Sequence, residues 1–118
     1  MAPSSAAAER APLQEWFVIC PDFDGVLEKR LKVRPEHLSR LKQDPDDFWL
    51  WGGPMLEEPI EEGESTPPKM KGSAMLVGAR TREEVVERLK NDIYVSEGVW
   101  DWDKAQIFPF KSTLRKAL

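Results

Sequence analysis

The chain has one histidine, His37, in Arg34-Pro35-Glu36-His37-Leu38. Histidine is the only side chain whose ordinary pKa puts its charge change near neutral pH, so His37 is the first candidate for acid–base chemistry. Proline suits the first turn of a helix and disrupts a helix interior. The spacing therefore predicts a helix beginning near Pro35 with His37 in its first turn. There the partial positive charge of the helix end disfavours imidazolium, leaving a neutral ring able to accept a proton. The plainer alternative is a half-buried helix residue with no chemistry.

Other reactive types are scarce. The single cysteine, Cys20, excludes an internal disulfide and a cysteine-rich zinc site. It ends the apolar run Trp16-Phe17-Val18-Ile19-Cys20, which fits a small buried hydrophobe rather than a nucleophile. One histidine and no Cys/His cluster predict no transition-metal site, and no flavin or haem signature is present, so no cofactor is expected. The net charge of −4 supplies no basic stripe for phosphates, which argues against nucleic acid as a partner. No apolar run approaches the roughly 20 residues of a membrane span. A reducing, cytoplasmic setting fits best.

The 118 residues, 41% hydrophobic and 32% charged, suit one globular domain. Residues 1–12, rich in small residues and lacking the apolar core of a secretory signal, read as a disordered tail. Residues 13–112 form the domain and 113–118 a basic C-terminal tail. Trp16–Cys20 is a strand buried on both faces, followed by a turn at Asp22–Gly25 with Asp24 as a candidate helix cap. Val26, Leu27, Arg30, Leu31 and Arg34 recur at helical spacing. A break near Val33–Arg34 is expected because the residue before proline avoids helical geometry. Leu38 and Leu41 carry a second segment. Phe48–Trp51 reads as a second strand closed by Gly52-Gly53-Pro54, with Trp49 and Trp51 on one face. A long acidic stretch from Leu56 to Gly72 is either a solvated connection or a flap beside a site. Ser73–Ala79 is a third strand. Thr81 and Glu84 form a capping box for a helix ending near Asn91-Asp92, Ile93–Gly98 is irregular, and Lys104–Phe110 is a fourth strand.

The order β-α-β-β-α-β is an α+β, ferredoxin-like arrangement: a four-stranded antiparallel sheet with helices on one face. Strands one and three are apolar on both faces, so the second face needs cover. The expectation is a homodimer packed sheet to sheet, a dimeric α+β barrel.

The chain resembles the YciI-like (YCII-related) proteins from about Glu15 to Lys111. The resemblance rests on Glu15-Trp16-Phe17-Val18-Ile19, Leu27-Glu28-Lys29-Arg30-Leu31, Arg34-Pro35-Glu36-His37-Leu38, Gly52-Gly53-Pro54, Gly72-Ser73, Asn91-Asp92-Ile93-Tyr94, Gly98-Val99-Trp100 and Pro109-Phe110-Lys111. It implies a histidine–aspartate catalytic pair in a pocket near the sheet, mapping onto His37 and Asp92. Where the family has Asp-Pro followed by an aromatic, this chain has Asp92-Ile93-Tyr94. The family includes a dehalogenating lyase acting on a chlorinated muconolactone, its superfamily includes muconolactone isomerases, and many members have no assigned activity.

On that reading His37 is the base and Asp92 holds its tautomer. Arg34, one turn earlier, would clamp a carboxylate or enolate. Ser73, Gly53 with its neighbouring amides, and Tyr94 would add substrate contacts. Each also has an ordinary structural reading: a surface ion pair, a strand start, a tight turn, packing. The expected function is a cofactor-free lyase or isomerase working by proton transfer on a small cyclic, lactone or polyketide-type metabolite. The alternative is a non-catalytic module that binds a small molecule or a protein on the same dimeric fold.

Overall fold

The structure, a computed structural model, describes residues 12–63 and 67–116. The expected N-terminal tail lies almost wholly outside these residues, as do the last two residues of the C-terminal one. In chain order the elements are β1 (Gln14–Pro21), α1 (Leu27–Leu41), β2 (Trp49–Leu56), β3 (Met70–Ala79), α2 (Arg82–Lys90), α3 (Ile93–Ser96), a 3-10 turn at Trp102–Lys104 and β4 (Gln106–Phe110). The sheet order is β2-β3-β1-β4, and every neighbouring pair is antiparallel. This is the expected α+β fold with a four-stranded antiparallel sheet in ferredoxin-like order.

Alternation along β1 divides the sheet into two faces. Trp16, Val18 and Cys20 join Met75 and Val77 of β3, Val85 and Leu89 of α2, and Tyr94, Val99 and Trp100 in the core. Phe17 turns the other way and meets Trp51 edge to face and Phe110 tilted, each with 5.9 Å between centroids. Leu76 is also fully buried yet stands apart from that core, covered on this second face. Trp51, Phe108 and Phe110 there remain 46% exposed.

Several local expectations are corrected: Ile93–Ser96 is a helical turn rather than irregular, β1 is buried at alternate residues rather than on both faces, and three more follow. First, α1 is one helix with Pro35 inside it, not two segments with a break at Val33–Arg34. An interior proline costs about 3 kcal/mol, but Pro35 is exposed, so water can serve the Leu31 carbonyl that loses its partner. Arg30 and His37, two turns apart on one face, are both buried and bonded elsewhere, which holds the helix continuous. His37 is therefore not in a first turn. It lies four residues from the negative end of α1, and the dipole argument for a neutral ring falls. Second, β2 does not close at Gly52-Gly53-Pro54 but runs through these residues to Leu56. Third, Trp49 and Trp51 do not share a face. A bulge lets Trp49 pair with Val77 and Trp51 with the adjacent Leu76, so the extra residue, Leu50, reverses the alternation.

Local capping follows the sequence at α2, where the Glu84 amide donates to Thr81 Oγ1 at 3.2 Å. It fails at α1, which starts at Val26 with no side-chain cap. Asp24 sits instead in a turn with Gly25, whose φ is +69°. Close approach of the turn before β2 needs Gly78: a Cβ there would collide with the Asp47 carbonyl oxygen. At the chain's far end, Glu15 takes hydrogen bonds from the Ser112 amide and hydroxyl and an ion pair from Arg115. The Ser112 hydroxyl, then its amide, then Arg115 hold the Glu15 carboxyl down to about 2 against a small opposing effect of burial.

Candidate functional site

Continuity of α1 builds the site. Arg30, Arg34, His37 and Leu41 follow at i, i+4, i+7 and i+11, one stripe of a helix. All four, with Leu38, line a cavity of about 350 Å³ whose other walls are Trp49 and Trp51–Pro54 of β2, Ser73–Met75 of β3, Tyr94 and Trp100. No Asp or Glu lines it, whereas two arginines do. The described residues of the acidic stretch from Glu57 to Lys69 do not line it either.

His37 is 9% exposed and Asp92 1%. Their Nδ1 and Oδ1 atoms are 2.8 Å apart. Asp92 caps α3, its Oδ1 also accepting the Tyr94 amide at 2.9 Å. Its Oδ2 accepts Arg88 Nη1 at 3.1 Å. Burial pushes this carboxyl up, but the His37 hydrogen bond and charge, the Tyr94 amide and Arg88 outweigh it and hold Asp92 below the ordinary carboxylate range. An ionised Asp92 has no proton to give, so Nδ1 carries the hydrogen and donates it. In the neutral ring the lone pair then sits on Nε2, to which no described residue bonds. The ring stacks on Tyr94 (centroids 3.9 Å, 7°) and meets Trp100 edge-on at 5.8 Å.

Behind the pair, Arg88 Nε donates to Asp44 Oδ1 at 2.8 Å, and Trp49 Nε1 donates to Asp44 Oδ2 at 2.7 Å. One chain of contacts thus joins the Asp92 carboxylate behind His37 to an aromatic wall of the cavity. Burial works against the Arg88 charge, yet Asp44 and Asp92 together raise its pKa.

A second arginine serves the other side. Arg30, 4% exposed, donates from Nη1 to both oxygens of Asp22 at 2.8 and 3.0 Å and from Nη2 to Ser73 Oγ at 2.7 Å. Burial pushes the Asp22 carboxyl up while Arg30 pulls against it. The guanidinium lies over the Tyr94 ring, 4.9 Å from its centroid, and its Nε is enclosed with no hydrogen-bond partner. Ser73 Oγ also accepts Trp100 Nε1 at 3.1 Å. Cys20 contributes nothing reactive: burial, then the charges of Asp92 and Asp22, push its thiol up to about 12. Among the described residues no group of three or more His, Cys, Asp or Glu could hold a metal ion, and no helix is long and apolar enough to cross a membrane.

The profile of the YCII-related domain matches residues 15–111. The chain belongs to the YCII-related family. Protein B of the aspercryptin biosynthesis cluster of Emericella nidulans is 36% identical over 115 residues, covering 97% of this chain and 73% of that protein. Fusaric acid biosynthesis protein 2 of Gibberella fujikuroi is 35% identical over 105 residues, covering 85% and 95%. Among solved structures, 5-chloro-2-hydroxyhydroquinone dehydrochlorinase from Burkholderia phenoliruptrix, in complex with 2,5-dihydroxybenzoquinone, superposes with a TM-score of 0.67 at 23% identity over 82% of this chain and 93% of that one. That is a likeness of fold.

Of the site residues expected from sequence in this YCII-family chain, His37, Arg34, Gly53, Ser73 and Tyr94 all line the one cavity, and Asp92 stands directly behind His37. Arg34 is exposed at the cavity and makes no hydrogen bond or ion pair with a described residue. A Cβ on Gly53 would meet only open space. The Ile93 that stands where the family has proline leaves the Asp92 cap intact. Missed from sequence were Arg30, Asp22, Arg88, Asp44 and the role of Trp100. Arg30 and His37 are seven residues apart, in one helical register only because the helix runs unbroken through Val33–Arg34.

Proposed function

We propose that the protein is a small enzyme of the lyase or isomerase class that removes a carbon-bound proton from a flat, ring-bearing metabolite. His37 Nε2 is the base, and Asp92 fixes the tautomer and balances the imidazolium that forms. The observation that carries this is the 2.8 Å contact between His37 Nδ1 and an aspartate that is 1% exposed and held ionised, with Nε2 left unbonded. Arg34 would receive a substrate carboxylate or phenolate at the cavity. The Gly52-Gly53 stretch leaves room beside it, and Tyr94, Ser73 and the tryptophans hold the ring. Proton transfer of this kind draws on these side chains alone and calls for no cofactor. Relatives named for the biosynthesis of aspercryptin and fusaric acid agree with a metabolite substrate. The neighbour of the same fold is named for an elimination and holds a ring compound, which agrees with the reaction class.

The same reading includes a homodimer formed through the second sheet face, where Trp51, Phe108 and Phe110 stand half exposed around buried Leu76. Light scattering on the purified protein tests it, and a monomer at micromolar concentration would remove it.

Catalysis is tested by proton-NMR detection of carbon-bound hydrogen exchange into D2O, using unsaturated γ-lactones and 2-hydroxyquinones as probes. Exchange in the wild type that falls at least a hundredfold in His37→Gln supports the base. Binding of these probes with no exchange, unaltered by His37→Gln, would make the protein a binding module instead.

A further inference from the structure

Tyr94 is the only tyrosine of the chain, and all of it but the hydroxyl end is fixed. Its amide donates to Asp92 Oδ1 at 2.9 Å, the same carboxylate oxygen that holds His37. Its carbonyl accepts the Val99 and Trp100 amides, both at 2.8 Å. The ring stacks on His37 with 3.9 Å between centroids, and the Arg30 guanidinium lies over it at 4.9 Å. Those two residues stand two turns apart on α1, about 10 Å along its axis, so they take opposite faces of the ring. Trp100 meets it edge-on at 5.3 Å. The hydroxyl bonds to no described residue. It is not shut in either: among the described residues the enclosed side-chain polar atom left without a partner is Arg30 Nε. Tyr94 is 1% exposed and lines the cavity, so the free end of the phenol opens there. Packing does not call for this oxygen, since a phenylalanine ring would make the same stacks with no polar atom to satisfy. Burial pushes the phenol up, the charges of Arg30 and Arg34 pull it down, and Asp92 and Asp22 push it up further, leaving it raised. It carries its proton at neutral pH and starts as a donor, with two arginines near enough to offset a phenolate.

We propose that the Tyr94 hydroxyl is the acid that works opposite the base His37, and that the substrate is a β-hydroxy carbonyl compound that loses water. The inference rests on His37 as base. The C–H bond beside the carbonyl breaks, and its proton passes to His37 Nε2. Its electron pair forms the new C=C bond. The C–O bond on the next carbon breaks, its pair goes to the oxygen, and that oxygen takes the Tyr94 proton and leaves as water. Proton return from the imidazolium to the phenolate restores both groups. A phenol that holds its proton this firmly yields it to an oxygen that is becoming strongly basic. Departing hydroxide is such an oxygen, and a departing halide has no need of the proton.

The test compares two leaving groups on one ring. 3-Hydroxy-γ-butyrolactone and 3-chloro-γ-butyrolactone carry the same acidic carbon and give the same unsaturated lactone. Tyr94→Phe keeps the stack and removes only the hydroxyl. It is expected to lower kcat for loss of water about a hundredfold with little change in KM, and kcat for loss of chloride by no more than about threefold. Exchange of the acidic hydrogen into D2O should persist in this variant. Equal losses on the two lactones, or none, overturn the proposal. If neither lactone is turned over, or the variant does not fold, the wild type still decides, because the sole tyrosine gives a single NMR signal when its Cζ is labelled with carbon-13. An excess of ionised 2,5-dihydroxybenzoquinone should move that signal downfield, toward phenolate, and an unmoved signal overturns the proposal. His37→Gln separates the two readings. It should abolish exchange and both eliminations while the labelled tyrosine still responds to the quinone, so failure of the base leaves the acid standing and the reverse.

Discussion

Each side of the cavity is held by an arginine that bridges an aspartate to a group the proposed chemistry uses, and the two bridges leave different things free. Arg30 joins Asp22 to Ser73, and its last partner is a hydroxyl that still owns a proton. Arg88 joins Asp44 to Asp92, and its last partner is a carboxylate that owns none. The first bridge therefore ends in a hydroxyl at the cavity wall. The second ends in an acceptor that forces His37 Nδ1 to donate and turns the other ring nitrogen into an acceptor. The same residue pair, arginine with aspartate, yields opposite polarity according to the third partner.

Burial separates the two as well, and it orders the expected losses. The Arg30 and Asp22 side chains are 4% and 3% exposed, whereas Arg88 and Asp44 are 21% and 15% exposed. Arg30→Met should be the most damaging change, because it strands the Asp22 carboxylate without water or partner, at a cost of about 3–5 kcal/mol. Urea unfolding reads this directly. The double change Asp22→Asn with Arg30→Met should recover part of the loss, since the stranded charge is gone. A double variant no more stable than Arg30→Met alone would show that the pair matters only for packing.

Arg88→Met should cost less, about 1–3 kcal/mol, and should show mainly in the acid limb. The Asp92 carboxyl lies below its ordinary value, so the stability it contributes is complete above the unfolded value of about 3.9 and is lost as pH falls through the lower folded one. Without Arg88 the folded value rises toward the unfolded one. Acid unfolding should then begin at higher pH than in the wild type, and Asp92→Asn should remove the Asp92 share of the pH dependence. An acid midpoint unmoved by Arg88→Met would assign the ionisation of Asp92 to His37 and the Tyr94 amide alone.

The contrast also explains what the sequence reveals. The positions of the apolar strands and the Thr81 cap are legible because they depend on near neighbours, and strand order follows from few connection rules; the alternating burial of β1 is not, because its run Trp16–Cys20 is apolar throughout. His37 stands out as the one histidine, Asp92, Ser73, Tyr94, Arg34 and Gly53 come from segments that resemble the family, and the structure places all but Asp92 on one cavity, with Asp92 bonded behind His37. Arg30 was hidden by Pro35. A local rule says proline ends the helix, but two buried anchors on either side of it, to Ser73 and to Asp92, override that rule, and no local signal carries them. Arg88 and Asp44 were hidden because they are 44 residues apart and read as surface charges. The faces of Trp49 and Trp51 were misread because a bulge cannot be seen by counting in twos.

Trp49 offers the finest test of the second bridge. Its indole is fixed at the cavity by Asp44 Oδ2, its ring lies 5.3 Å from the Arg88 guanidinium, and it meets Phe48 edge-on at 4.8 Å. Asp44→Asn keeps the shape of the side chain but puts one amide where two charge-assisted bonds had been. Arg88 still holds Asp92, so the His37 tautomer should survive and stability should fall by only about 1 kcal/mol. What should change is the wall: a freed indole turns in its pocket, and binding of ring compounds weakens severalfold while the pH dependence of exchange stays put. Probe affinity, tryptophan quenching by acrylamide and the exchange profile, measured on one variant, separate the two. A moved pH profile with unaltered affinity would mean that Asp44 serves the base rather than the wall, and the bridge would then carry charge inward instead of holding an aromatic in place.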